Sequence, residues 1–177
     1  NTCATPPAGR VGVSIERGAQ AVNDREVRLA LVWPACADTV TIANDASFTK
    51  ARTFPVAPTL AWTLAAPRSE RASTMVYVRF GDSSKAYSDG VVIDETPPEL
   101  ADASVTTTGT RAVLTVSATD DGSGLARVQA GRSRLRPAAP QPLSGKSVTL
   151  SSAAARRLRW VRVADRAGNW SPWVKAQ

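Results

Sequence analysis

Histidine is absent from this 177-residue chain. That absence removes the commonest general base, the commonest zinc ligand and every Ser-His or Cys-His nucleophile pair. No glycine-rich phosphate loop of the G-x-x-x-x-G-K-S type is present, and neither cysteine belongs to a C-x-x-C. No apolar run approaches the roughly 18 residues needed to span a bilayer, so no membrane insertion is expected. No signal peptide precedes Asn1, which fits a mature or trimmed form. Helical signals are equally scarce. Only Ala153 to Arg159 is helix-friendly, and it is too short to be a stable helix alone. Outside Asp94-Glu95, the one adjacent pair of acids is Asp120-Asp121. Neighbouring side chains on a strand or turn point apart and rarely share one substrate. These gaps lead us to expect no catalytic residues and no enzyme.

Hydrophobic residues make up 43% of the chain, enough for ordinary cores and well outside the disordered range. The two cysteines are Cys3 and Cys36. An even count in a turn-rich β protein suggests one disulfide and an oxidising compartment, against the alternative of two buried thiols. The net charge of +7 is unevenly placed. Residues 1–98 balance 10 basic against 10 acidic residues, whereas residues 99–177 hold 12 basic against 5 acidic. A basic half attracts polyanions such as acidic glycans, wall polymers or nucleic acid, unless it only reflects an arginine-rich composition on a solvated surface.

Strand signals are short and recur between Gly, Pro, Asn, Asp and Ser clusters. Two copies of one unit are legible in them. Tyr77-Val78-Arg79-Phe80-Gly81-Asp82 matches Trp160-Val161-Arg162-Val163-Ala164-Asp165 at an offset of 83 residues, and the same offset pairs Tyr87-Ser88 with Trp170-Ser171. Val27-Arg28-Leu29-Ala30-Leu31 resembles Ala112-Val113-Leu114-Thr115-Val116 at an offset of 85. Near-constant offsets indicate a repeat with small loop changes. The spacing predicts an all-β chain of two tandem β-sandwich domains, 1–95 and 96–177, each with about seven strands. The two prolines of Asp94-Glu95-Thr96-Pro97-Pro98 hold the link extended. In the first unit we expect strands near 12–16, 27–33, 39–43, 60–65, 74–80 and 86–94. In the second we expect them near 104–108, 112–119, 126–130, 147–151, 158–164 and 170–175. Ala112, Leu114, Val116 and Ala118 should point inward, with Val113, Thr115 and Ser117 outward. Val76, Val78 and Phe80 should be the inward set of the first unit. The stretch 132–143 holds three prolines and three arginines and reads as a surface loop or a poor edge strand.

Trp160 to Ser171 resembles the end of bacterial immunoglobulin-like and fibronectin type III-like surface repeats. Thr119-Asp120-Asp121-Gly122-Ser123-Gly124 resembles their Asp- and Gly-rich loop, and Asp94 to Pro98 their interdomain joint. Trp170-Ser171-Pro172-Trp173 is similar to the W-S-x-W-S box of cytokine-receptor fibronectin domains, with Val174 in place of the final serine. That likeness implies tryptophans interleaved with arginines, here Arg162 and Arg159. A guanidinium stacks on an indole face for roughly 0.5–2 kcal/mol.

Three groups of residues are candidates for a role. Trp160, Arg162, Trp170 and Trp173 form either a ligand face for sugars or polyanions, or an Arg–Trp ladder that stiffens the sandwich. Arg132, Arg134 and Arg136 form a basic loop that could contact a cell-surface glycan or acidic polymer. Asp94, Glu95, Asp120, Asp121 and Asp165 either hold calcium, which needs roughly six to eight oxygens, or serve as turn residues, with Gly168 at a positive φ. No other cofactor is expected. The reading is a secreted or cell-surface spacer or adhesion module, a monomer or part of a longer chain. The alternative is a carbohydrate- or polyanion-binding module acting through the second unit.

Overall fold

The computed structural model describes residues 3–69 and 71–177. The chain divides into two compact units, Asn1–Ile93 and Asp94–Gln177. Among the described residues no helix is long and apolar enough to cross a membrane.

The first unit contains β1 (Gly12–Ile15), β2 (Ala21–Val22), β3 (Glu26–Val32), β4 (Thr39–Ala43), β5 (Arg52–Pro55), β6 (Thr59–Thr63), β7 (Ser73–Phe80) and β8 (Ala86–Ile93). They form two facing sheets, ordered β1-β3-β6 and β2-β8-β7-β4-β5. Every pairing is antiparallel except β2 with β8. Period-2 patterning explains the layering. Val27, Leu29 and Leu31 of β3 and Val76, Val78 and Phe80 of β7 are all buried in one core with Ile15, Val40, Ile42 and Leu64. A Cys3–Cys36 disulfide ties the N-terminal segment to the loop after β3, with the two Cα atoms 4.6 Å apart. Trp33 Nε1 reinforces it by donating to the Ala4 carbonyl at 3.3 Å.

The second unit contains β9 (Glu99–Thr108), β10 (Arg111–Thr119), β11 (Leu125–Gly131), β12 (Gln141–Pro142), β13 (Ser147–Ser151), α1 (Ser152–Arg157), β14 (Trp160–Asp165) and β15 (Val174–Lys175). Its sheets are ordered β13-β10-β9 and β12-β11-β14-β15. Strand β10 alternates without a fault: Ala112, Leu114, Val116 and Ala118 are buried, and the residues between them are exposed. The same connectivity recurs in the two units. β1-β3-β6 corresponds to β9-β10-β13, and β8-β7-β4-β5 to β15-β14-β11-β12. The repeated segments of the sequence therefore fall on equivalent strands, β3 with β10 and β7 with β14.

Several boundaries differ from the sequence expectation. β2 and β5 lie outside the expected strands: β2 is two residues long, and β5 is an edge strand with no fully buried position. β9 starts at Glu99 instead of near 104, because a register shift between Ser117 and Ala118 lets Leu100 and Glu99 pair as well. The last strand shrinks to Val174–Lys175, with Pro172 unable to donate and Trp170 bridging alone to Ala164. The helix-friendly segment does form a single capped helix, Ser151 Oγ accepting from Ala154 N at 3.2 Å.

Candidate functional site

The outward face of β14 follows from its inward one. Val161 and Val163 are fully buried, so Trp160 and Arg162 project from the opposite side. The Arg162 guanidinium lies 4.4 Å from the Trp170 ring centre and 4.6 Å from that of Trp173. Its Nε and Nη2 both donate to Gln129 Oε1, at 2.9 and 2.7 Å. Gln129 is the direct cross-strand partner of Arg162 on β11, and its own amide donates to the Ala138 carbonyl at 2.8 Å. Ser171, the serine of the W-S-P-W stretch, is buried and closes the pairing beside them. Its Oγ accepts from Val163 N at 3.0 Å and its N donates to the Val163 carbonyl at 2.9 Å.

Two members of the expected ladder stand elsewhere. Trp160 does not meet Arg162; Arg134 stacks over it at 4.5 Å and Lys175 approaches at 5.8 Å. Arg159 turns back to its own backbone, donating from Nη1 to the carbonyls of Leu158 and Arg156 at 2.8 and 3.3 Å. The loop arginines thus divide. All three are exposed, but Arg134 stacks on Trp160, while Arg132 and Arg136 stand on either side of Leu135, itself 92% exposed. The first unit repeats part of this arrangement. Arg79, at the position equivalent to Arg162, stacks over Phe48 at 3.9 Å.

The five candidate calcium ligands separate into two groups. Carboxylate oxygens of Asp94, Asp120 and Asp165 all lie within 4.8 Å of one another. Glu95 and Asp121 are exposed and stand outside that trio. Asp94 and Asp165 are buried, yet their oxygens accept backbone N–H bonds. Asp94 takes those of Ser123 at 2.6 Å and Thr96 at 3.1 Å. Asp165 takes those of Gly168 at 2.7 Å and Asn169 at 2.9 Å. Asp120 accepts from Gly124 N. Asn169 ties the turn to the start of the unit, donating to the Asp94 carbonyl at 2.7 Å. Two glycines make the geometry accessible. A Cβ on Gly122 would collide with the Asp94 carboxylate, and Gly168 adopts φ of 99°. Burial pushes the Asp120 carboxyl above its ordinary value, and the charges of Asp94, Asp165 and Asp121 add to the rise against the opposing Gly124 bond. Three carboxylates supply part of a calcium shell, and loop carbonyls or water would have to complete it. Among the described residues the first unit shows no counterpart, and Pro34-Ala35-Cys36 stands where the acidic loop would be.

Sequence reasoning gave no role to Gln129, Ser123 or Asn169, and it placed Arg134 in the basic loop without its Trp160 partner. Each acts on a partner at least four residues away, and the pairing of Gln129 with Arg162 spans 33 positions. No local pattern marks such residues.

No protein-family model matches the chain, and no curated protein matches it in sequence. Solved structures do resemble it. The FN1–FN3 domains of chicken contactin (CNTN1) superpose with a TM-score of 0.57 at 13% identity, covering 99% of this chain and 66% of that one. The chain therefore spans just under two thirds of that neighbour's length. Fibronectin(III)-like modules of Clostridium thermocellum CbhA superpose with a TM-score of 0.52 at 12% identity, covering 93% of this chain and 91% of that one. With the facing three- and four- or five-stranded sheets described above, these likenesses make the fold a fibronectin type III-like, immunoglobulin-like β-sandwich.

Proposed function

We propose that the chain is a non-catalytic scaffold from a secreted or cell-surface protein, serving as a spacer or adhesion module. The observation that carries this reading is the Arg162 site. Its guanidinium is consumed by two indole faces and by Gln129, so Arg162 and the ring faces it covers are satisfied from within. A platform built to bind sugar would present free ring faces. Two further observations support the reading. The disulfide suits an oxidising compartment. Both structural neighbours are described as fibronectin domains or modules. Broad glycoside, ester and peptide substrate panels test the absence of catalysis, and turnover abolished by changing Asp120 or Asp121 would overturn it.

A second reading is favoured by Arg132 and Arg136, which are exposed around Leu135 on the basic unit. They would give the second unit affinity for an acidic polymer. Binding through them weakens steeply with salt because counterion release drives it. Heparin-column retention separates the two readings. Changing Arg132, Arg134 and Arg136 together should shorten retention under the polyanion reading. Early elution of the unaltered protein leaves the scaffold reading without a rival face.

A further inference from the structure

The second sandwich is left open along one side. There the sheets end in β13 and in the two-residue β12, because the proline-rich stretch 132–143 cannot pair further. Between them lies an apolar cleft of about 130 Å³. Its floor is hydrophobic: Val128 and Leu158 are buried core residues, and Val148 and Leu150 pack against that core. Protein interiors rarely leave such space unfilled. An apolar cavity of roughly 150 Å³ stays dry and accepts benzene, so this cleft has room for one small ring or branched acyl group.

The rim adds a chemical preference. The charged side chains lining the cleft are Arg132 and Arg157, and no carboxylate accompanies them. Neither guanidinium has a hydrogen-bond, ion-pair or ring partner among the described residues, in contrast to Arg134, Arg159 and Arg162. Arg157 also closes the last turn of α1, where the basic side chains gather. An unpaired guanidinium recognises a carboxylate through a planar fork of donors. We propose that this cleft binds a small apolar acid, its hydrocarbon seated on Val128 and Leu158 and its carboxylate at the rim facing Arg132 and Arg157. The cleft shares Arg132 with the exposed basic loop and with the groove beside Trp160 and Trp173, but its apolar floor of Val128, Val148, Leu150 and Leu158 belongs to neither.

The test is a titration of the ¹⁵N-labelled full chain with benzoate, followed by amide chemical shifts, with benzyl alcohol as the neutral analogue. Saturable shifts centred on Val148, Leu150 and Leu158 are expected, with a dissociation constant on the order of 1 mM for so few ligand atoms. Benzyl alcohol should bind about tenfold more weakly, as should benzoate to the Arg132→Ala/Arg157→Ala variant. Both replaced side chains are exposed, so the variant should keep the wild-type spectrum elsewhere. Absence of saturable shifts, shifts centred outside the cleft, or equal affinity for acid and alcohol would each overturn the proposal.

Discussion

Gln129 and Arg162 face each other across β11 and β14, joined by a two-pronged hydrogen bond of 2.9 and 2.7 Å to a single carbonyl oxygen. The amide fixes the guanidinium in the plane that both indoles require. Arg162→Ala should therefore cost about 1–3 kcal/mol, combining lost stacking with a buried amide left short of a donor. Arg162→Lys should recover only part of this, since an ammonium lacks the planar fork. Urea unfolding reads both. A loss for Arg162→Ala no larger than that of an ordinary surface change would remove the ladder from the account.

Asp94 belongs physically to the second unit. It is fully buried there and accepts Ser123 N, while its carbonyl accepts Asn169. A fragment of residues 94–177 is expected to unfold cooperatively on its own. A fragment of residues 99–177 lacks that anchor and should melt several degrees lower, as a loss of about 1 kcal/mol or more implies for a domain of this size. Calorimetry on the two fragments decides it. Equal melting would mean that Asp94 anchors nothing, and an unfolded longer fragment would mean that the unit is not autonomous.

Reduction of Cys3–Cys36 should weaken the first unit alone. The bridge closes a separation of 33 residues, for which the chain-entropy model gives about 3–4 kcal/mol. Mass spectrometry with and without reductant establishes the bond, and a denaturant melt gives its worth. Two free thiols in protein prepared under oxidising conditions would contradict the structure directly.

Acid should favour the loop cluster before it harms it. The Asp120 carboxyl titrates above its ordinary value of 3.8 in the folded unit, chiefly through burial. Folding therefore favours its protonated form. The stabilisation is fully present below that ordinary value and is lost as the pH rises through the raised one. Asp120→Asn keeps the oxygen that accepts from Gly124 and removes one of three clustered charges. The variant should be at least as stable as the parent at neutral pH, with that advantage shrinking as the pH falls into the carboxylate range. Thermal melts across pH in the presence of chelator read the proton effect alone. Repeating them with calcium tests the cation reading of the same side chains, and an unchanged midpoint sinks it.

What the sequence determined by itself is the layering of each unit. In β10 the alternation Ala112-Val113-Leu114-Thr115-Val116 states which side faces the core, because a strand reverses its side chains every residue. The offset of 83 residues likewise puts Arg79 and Arg162 on equivalent strands. Tertiary structure alone decided who meets whom on the outer surface. That Arg162 takes Gln129, Trp170 and Trp173 while Trp160 takes Arg134 depends on the register of β11 against β14 and on the path of the loop after β11. The convergence of Asp94, Asp120 and Asp165 depends on three loops reaching one place. The open side of the second sandwich depends on where prolines stop a strand from pairing. Burial acts on every residue of a strand and leaves a periodic trace. A contact between distant loops leaves none, because it is fixed by the trajectory of the chain between them.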